Sequence, residues 1–195
     1  MLPPPKDPVE RQRQIDFYTN QIKKVFSIVD REQNGYLDKR EVSYMMRYLL
    51  QFPSEAQIRD YIIIKLEDDE PSDSIKFEKF EPFMLGALMS DEYPTAPAEL
   101  LLAAFRTLDP EGKGYIKRDV MKNLLTTQGI PLREKEIDQF LIYAQDREGQ
   151  YIYYEDYVSK LIDENERHKE LILQEYYDAN PKKWELWSEK NYYYY

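Results

Sequence analysis

At 195 residues the chain can form one compact domain or two small lobes. Its 37 acidic and 27 basic side chains leave a net charge of −10, which argues against nucleic acid and anionic membranes as main partners and suits basic or amphipathic helices. With no cysteine, disulfides, thiolate zinc sites and cysteine nucleophiles are excluded. The opening MLPPPKDPVE lacks a basic region followed by an apolar core, so no signal peptide is expected. Apolar runs such as Tyr61 to Ile64 are far too short to span a bilayer.

In chain order, residues 1–13 begin with a proline cluster and are expected to be disordered. Ile15, Ile22, Val25, Phe26 and Val29 then recur at helical spacing. Next comes DREQNGYLDKRE, Asp30 to Glu41, with oxygen-bearing side chains at loop positions one, three, five, nine and twelve, glycine at six and leucine at eight. That is the layout of a calcium-binding EF-hand loop, in which a hard cation needs six to eight oxygens and a short loop supplies them by pointing alternate residues inward. Gly35, without a Cβ, permits the sharp turn. A second helix carries Val42, Met45, Met46 and Leu49. Ser54 with Gln57 is a capping-box signature for a third helix, to about Leu66. A second loop, Asp68 to Lys79, leads into Phe80, Phe83, Met84, Leu85 and Leu88.

The polar, proline-containing stretch 91–97 reads as a hinge, dividing a first lobe (14–90) from a second (98–165). The helix–loop–helix plan repeats there, with loops at 109–120 and 145–156. Leu37, Ile75, Ile116 and Ile152 hold position eight of the four loops and predict two short strand bridges, Leu37 with Ile75 and Ile116 with Ile152. The fold class expected is all-α: four EF-hands in two lobes. The last helix keeps apolar spacing through Leu161, His168 and Ile172, with Leu171 to Tyr177 apolar again, and residues 166–195 form a helical extension and aromatic tail. His168, the sole histidine, reads as a solvated surface residue. Nothing in the pattern accounts for the four terminal tyrosines beyond adhesive contact area.

Loop one is the candidate calcium site, with Asp30, Glu32, Asn34, the Tyr36 carbonyl, Asp38 and Glu41 as ligands; Glu32 is one methylene longer than usual at its position. The other three loops are read as metal-free. Loop two has Lys79 where two carboxylate oxygens are needed; like unit charges about 4 Å apart repel by roughly 4 kcal/mol at an effective dielectric near 20. Loop three has Lys113 at position five and Val120 at twelve; loop four starts with Gln145 and has Arg147 at three. Calcium is therefore expected in the first hand only, with no cooperative calcium-driven opening.

Calmodulin-type lobes bind amphipathic helices in apolar grooves. Met45, Met46, Met84 and Met89 lie on outgoing helices and suit such a groove, although each fits a core equally well; Met121 and Phe140 are the second lobe's candidates. Trp184 and Trp187 read as an anchor for a partner, or as side chains folded back on the second lobe. No serine or cysteine nucleophile motif, paired histidine or phosphate loop is present, so no enzymatic activity is expected.

The stretches EPSDSIKFEKFEPFM, LLAAFRTLDPEGKGYI and YIYYEDYVSKLIDEN resemble the dynein regulatory complex subunit 8 family of calmodulin-like EF-hand proteins, over about residues 15–165. The resemblance implies a scaffold subunit of the nexin–dynein regulatory complex in the axoneme of motile cilia and flagella, binding amphipathic or coiled-coil helices of larger subunits, with neither nucleic acid nor membrane as partner. The alternatives left open by the residues are a free calcium sensor of the centrin or calmodulin kind, or a light-chain-like subunit of another motor.

Overall fold

The structure, a computed structural model, describes residues 2–68, 72–129 and 131–180. The first helix, α1 (Pro8–Val29), starts earlier than the proline-rich opening suggests. Asp7 caps it by accepting from the Glu10 N–H at 2.7 Å, and Pro8 sits where a helix needs no N–H. The residues before it are tied down as well. The Leu2 N–H donates to the Tyr18 hydroxyl (3.1 Å) and Gln14 Nε2 donates to the Pro3 carbonyl (2.7 Å). For the described residues 2–13 the expected disorder is thus corrected: a cap and two long-range hydrogen bonds order a stretch whose composition alone reads as extended.

Strand β1 (Tyr36–Asp38), a 3₁₀ turn (Lys39–Glu41) and α2 (Val42–Tyr48) complete the first hand. The second hand opens with α3 (Glu55–Gln57), where the predicted capping box forms in both directions: Gln57 N–H to Ser54 Oγ at 3.2 Å, Ser54 N–H to Gln57 Oε1 at 2.8 Å. A π turn (Ile58–Ile62) carries the helix into α4 (Ile63–Leu66). Strand β2 (Ser74–Lys76) and α5 (Phe77–Ser90) follow. The second pair of hands is α6 (Ala98–Leu108), β3 (Tyr115–Lys117), α7 (Arg118–Thr127), α8 (Glu134–Ala144), β4 (Tyr151–Tyr153) and α9 (Tyr154–Asp178). The two bridges expected at loop position eight are present, Leu37 opposite Ile75 and Ile116 opposite Ile152 in antiparallel register. No helix among the described residues is long and apolar enough to cross a membrane.

The described residues divide into two compact units, one within 96–167 and the other made of those up to 95 together with 168–180, so the end of the last helix belongs with the first unit. For 168–180 this differs from the expected extension; the aromatic tail, 181–195, lies outside the described residues. The first unit's core is built on Ile22, Leu37, Met45, Met46, Ile62, Phe80 and Met84, all essentially inaccessible, and it takes in Tyr176 and Tyr177 from α9. Part of the supposed hinge is also fixed to this unit. Gln51, fully buried, accepts the Tyr93 N–H (3.0 Å) and donates to Asp91 (3.1 Å), while the Phe52 N–H donates to the Tyr93 carbonyl. The second unit has a smaller core of Ile116, Met121, Ile137, Leu141, Ala144, Ile152 and Tyr154.

Candidate functional site

Loop one is closed by its own hydrogen bonds. Asp30 accepts the Asn34 N–H (3.0 Å) on one oxygen and the Gly35 N–H (2.9 Å) on the other, and Asn34 Oδ1 accepts the Tyr36 N–H (2.9 Å). Gly35 sits at φ +78°, a left-handed conformation that a side chain resists. The Asn34 amide donates to Glu32 (3.3 Å), so the long Glu32 side chain is folded over the loop. Asp38 caps the following turn through the Arg40 N–H (2.8 Å) and pairs with the Arg40 guanidinium (2.6 Å). That guanidinium, then the backbone N–H, pulls the Asp38 carboxyl down to about 2. Glu41 lies at the N-terminus of α2 without a capping bond. The donor set suits calcium in type and order, yet among the described residues no three histidine, cysteine or acidic side chains converge as ligands. To hold the ion, Asp38 must turn from Arg40.

In each of the remaining loops the side chain at position one is bonded to protein atoms. In loop two the Lys79 ammonium lies 2.6 Å from Asp68 and donates to the Glu67 carbonyl (2.6 Å), and Lys76 holds the other Asp68 oxygen (2.9 Å). Hydrogen bonds from Lys79 first and Lys76 second hold the Asp68 carboxyl below its ordinary value. An internal ammonium therefore stands beside the carboxylate that would be the first metal ligand. In loop three, Asp109 is buried and accepts from the Gly114 N–H (2.8 Å) and the Tyr154 hydroxyl (3.1 Å). Burial pushes its carboxyl up, but these donors and the Lys113 N–H outweigh it, and the net shift is downward. In loop four, Gln145 accepts from Arg118 (3.2 Å), and Asp146 takes the Gln150 and Tyr151 N–H groups.

The methionines expected in a partner groove are core side chains in this conformation. Met45, Met46, Met84 and Met121 are at most 1% exposed, and Met89 packs partly buried against the first core. Phe140 lies on a more open surface. Leu102, Phe105, Leu125, Phe140 and Tyr157 of the second unit are only partly buried. Tyr157 stands edge-on to Phe105 (5.7 Å), Phe140 (5.4 Å) and Tyr143 (6.0 Å), so the half-covered face is aromatic. Strongly amphipathic α6 has no fully buried residue, and Leu100, Val120 and Ile142 of the same unit are well exposed. Trp184 and Trp187 lie outside the described residues.

The composition of the first unit's surface holds what the residue pattern left unassigned. His168 is not simply solvated: its ring stands edge-on to Tyr48 at 5.9 Å. Glu175 pairs with Lys24 (2.8 Å), and Tyr176 meets Phe17 edge-on at 5.2 Å. The signal was the return of apolar residues after the charged run, which marked a buried face without saying what buries it.

No protein-family model matches the chain. Dynein regulatory complex protein 8 of Mus musculus is 37% identical over 145 residues, covering 74% of this chain and 88% of that protein. The Homo sapiens protein of the same name is 34% identical over 117 residues, 60% of this chain, and the chain spans 43% of that relative's length. Among solved structures, the Physarum polycephalum myosin II regulatory domain aligns with a TM-score of 0.59 at 25% identity, covering 72% of this chain and 92% of that one. The fold is the all-α, calmodulin-like EF-hand arrangement that the four loops predict.

Proposed function

The chain belongs to the dynein regulatory complex protein 8 family, and from this we propose that it is a calmodulin-like structural subunit of the nexin–dynein regulatory complex in the axoneme of motile cilia and flagella. It works by gripping an amphipathic or coiled-coil helix of a larger subunit, without turnover. The observation that carries this is the half-covered aromatic face of residues 96–167, around Phe105, Phe140 and Tyr157. A contiguous half-covered apolar face of this kind is the mark of an interaction site, and an amphipathic helix is the shape that fits between EF-hand helices. The net charge of −10 favours a partner helix with basic flanks.

Calcium has a tuning role at most. Loop one is the place for it, held by Asp30, Glu32, Asn34, the Tyr36 carbonyl, Asp38 and Glu41, where the ion would draw β1 and the start of α2 together. Loops two to four fold on their own ammonium, hydroxyl and amide donors. The likeness to a myosin II regulatory domain favours, as second reading, a light-chain role on another motor.

Crosslinking mass spectrometry on isolated axonemes tests the assignment. Links from Lys122, Lys135 and Lys160 of the second unit to one coiled-coil subunit of the regulatory complex are the expected result. Links confined to a motor heavy chain would replace the first reading with the second, and an even spread over unrelated proteins would overturn both.

A further inference from the structure

The first unit already holds a helix. Ile172, Leu173, Tyr176 and Tyr177 turn one face of α9 into its core, while Glu170, Gln174, Glu175 and Asp178 stay exposed. That spacing is the anchor pattern with which an amphipathic helix fills an EF-hand groove. The helices it touches are α1, α2 and α5, through Phe17, Lys24, Tyr48 and Leu88. The fit is incomplete. An apolar cavity of about 180 Å³ remains, lined by Tyr18, Val25, Leu49, Leu88, His168 and Ile172. The buried Tyr176 hydroxyl has no hydrogen-bond partner among the described residues. A void and an unpartnered buried hydroxyl both weaken packing. Polar His168 and the modest Ile172 line the cavity and leave room that larger apolar side chains would fill.

We propose that residues 168–178 are a tethered occupant of the first unit, a self-ligand that a partner helix must displace. This deepens the helix-gripping reading and rests on it: the first unit is occupied in the free chain, and its partner is a helix with large apolar residues spaced as His168, Ile172 and Tyr176 are. A tethered occupant competes at an effective concentration on the order of millimolar, so weak apolar peptides are refused and only a well-filling helix enters.

The test uses the full chain, whose lack of cysteine allows clean labelling. Lys24→Cys with Glu175→Cys, bridged by a short bis-maleimide, locks the occupant in place. The probe is a synthetic peptide of residues 166–180 carrying His168→Leu and Ile172→Phe. The readout is the ε-methyl resonances of Met45, Met46, Met84 and Met89, with Met121 as the internal control from the other unit. The bridge is expected to form within one free chain. The peptide should shift the four resonances in the unbridged protein, and at least tenfold more peptide should be needed once the bridge is closed. The peptide of natural sequence should bind more weakly than the filled one. Failure to bridge in the free chain, or equal titrations with and without the bridge, would overturn the proposal. Because no axonemal partner is involved, this failure is distinct from failure of the ciliary assignment.

Discussion

Replacing Tyr176 with phenylalanine should stabilise the first unit. The ring is 1% exposed and meets Phe17 edge-on at 5.2 Å, while its hydroxyl is buried and bonded to nothing among the described residues. Burying a hydroxyl without a partner costs about 1–3 kcal/mol, and phenylalanine keeps the ring while removing the oxygen. A gain of about 1 kcal/mol follows, equivalent to roughly 4–8 °C in melting temperature for a unit of around a hundred residues. Tyr176→Ala should act in the opposite direction and lose about 3–5 kcal/mol, a large share of a domain's usual stability. The phenylalanine advantage should also widen in alkali. Burial first, then the charge of Glu10, pushes the Tyr176 phenol above its ordinary 10.0. A raised folded value means that its contribution is intact below pH 10.0 and lost as pH rises beyond it, and phenylalanine has nothing to titrate. Thermal unfolding followed through the Met45 and Met84 methyl resonances isolates this unit. A Tyr176→Phe protein less stable than the parent by 0.5 kcal/mol or more (about 2 °C) would show that the hydroxyl is bonded, and a Tyr176→Ala protein of parental stability would show that α9 does not dock.

Three further outcomes follow from the loops. Glu41→Gln removes the position-twelve carboxylate, so calorimetric calcium binding at loop one should weaken at least tenfold; an unchanged isotherm would place any bound calcium elsewhere. In Arg40→Ala the Asp38 carboxyl should titrate back toward its ordinary 3.8 from about 2, read by side-chain carboxyl NMR, and the stability that the parent holds above pH 3.8 and loses as pH falls from there through about 2 should be absent from the variant, whose stability should vary less over that range. A midpoint unmoved by the substitution would mean that Arg40 is not the cause. Lys79→Glu should lower the melting temperature of the first unit in the absence of calcium, because it puts a carboxylate against Asp68 and the Glu67 carbonyl where an ammonium now lies. Parental melting in that variant would show that the Lys79 contact contributes nothing.

The four hands were legible because their requirements are local. A glycine at position six of loops one and three and an apolar residue at position eight of all four can be read from neighbours in sequence, and the Leu37–Ile75 and Ile116–Ile152 bridges sit where the position-eight residues put them. The Ser54–Gln57 box is local in the same sense. What the pattern did not disclose was long-range. Nothing around Leu2 or Pro3 announces hydrogen bonds to Tyr18 and Gln14. The face carrying Ile172 and Tyr176 was visible as a helical stripe, but a stripe does not name the surface that buries it. Methionine was ambiguous for a related reason: a flexible thioether suits a groove and a core alike, and only burial separates them, which in this conformation places Met45, Met46 and Met84 inside.

The loops also constrain how far a calcium signal could travel. Loop one meets loop two through the Leu37–Ile75 bridge, and two further backbone bonds, Lys39 N–H to the Asp73 carbonyl and Phe77 N–H to the Gly35 carbonyl, extend that seam. The far side of the seam is held by Lys79 on Asp68 and on the Glu67 carbonyl, a tie that does not depend on an ion. An ion drawing Glu41 inward therefore pulls against a partner loop that is already closed, whereas in a sensor both loops close together. The response should stay in loop one and the start of α2, leaving the buried Met84 of α5 unmoved. Lys79→Glu gives this argument its sharpest test. Once the fixed tie is cut, calcium should begin to shift the Met84 methyl resonance as well as Met45, and a Met84 signal insensitive to calcium in both proteins would mean that something other than Lys79 keeps the second hand closed.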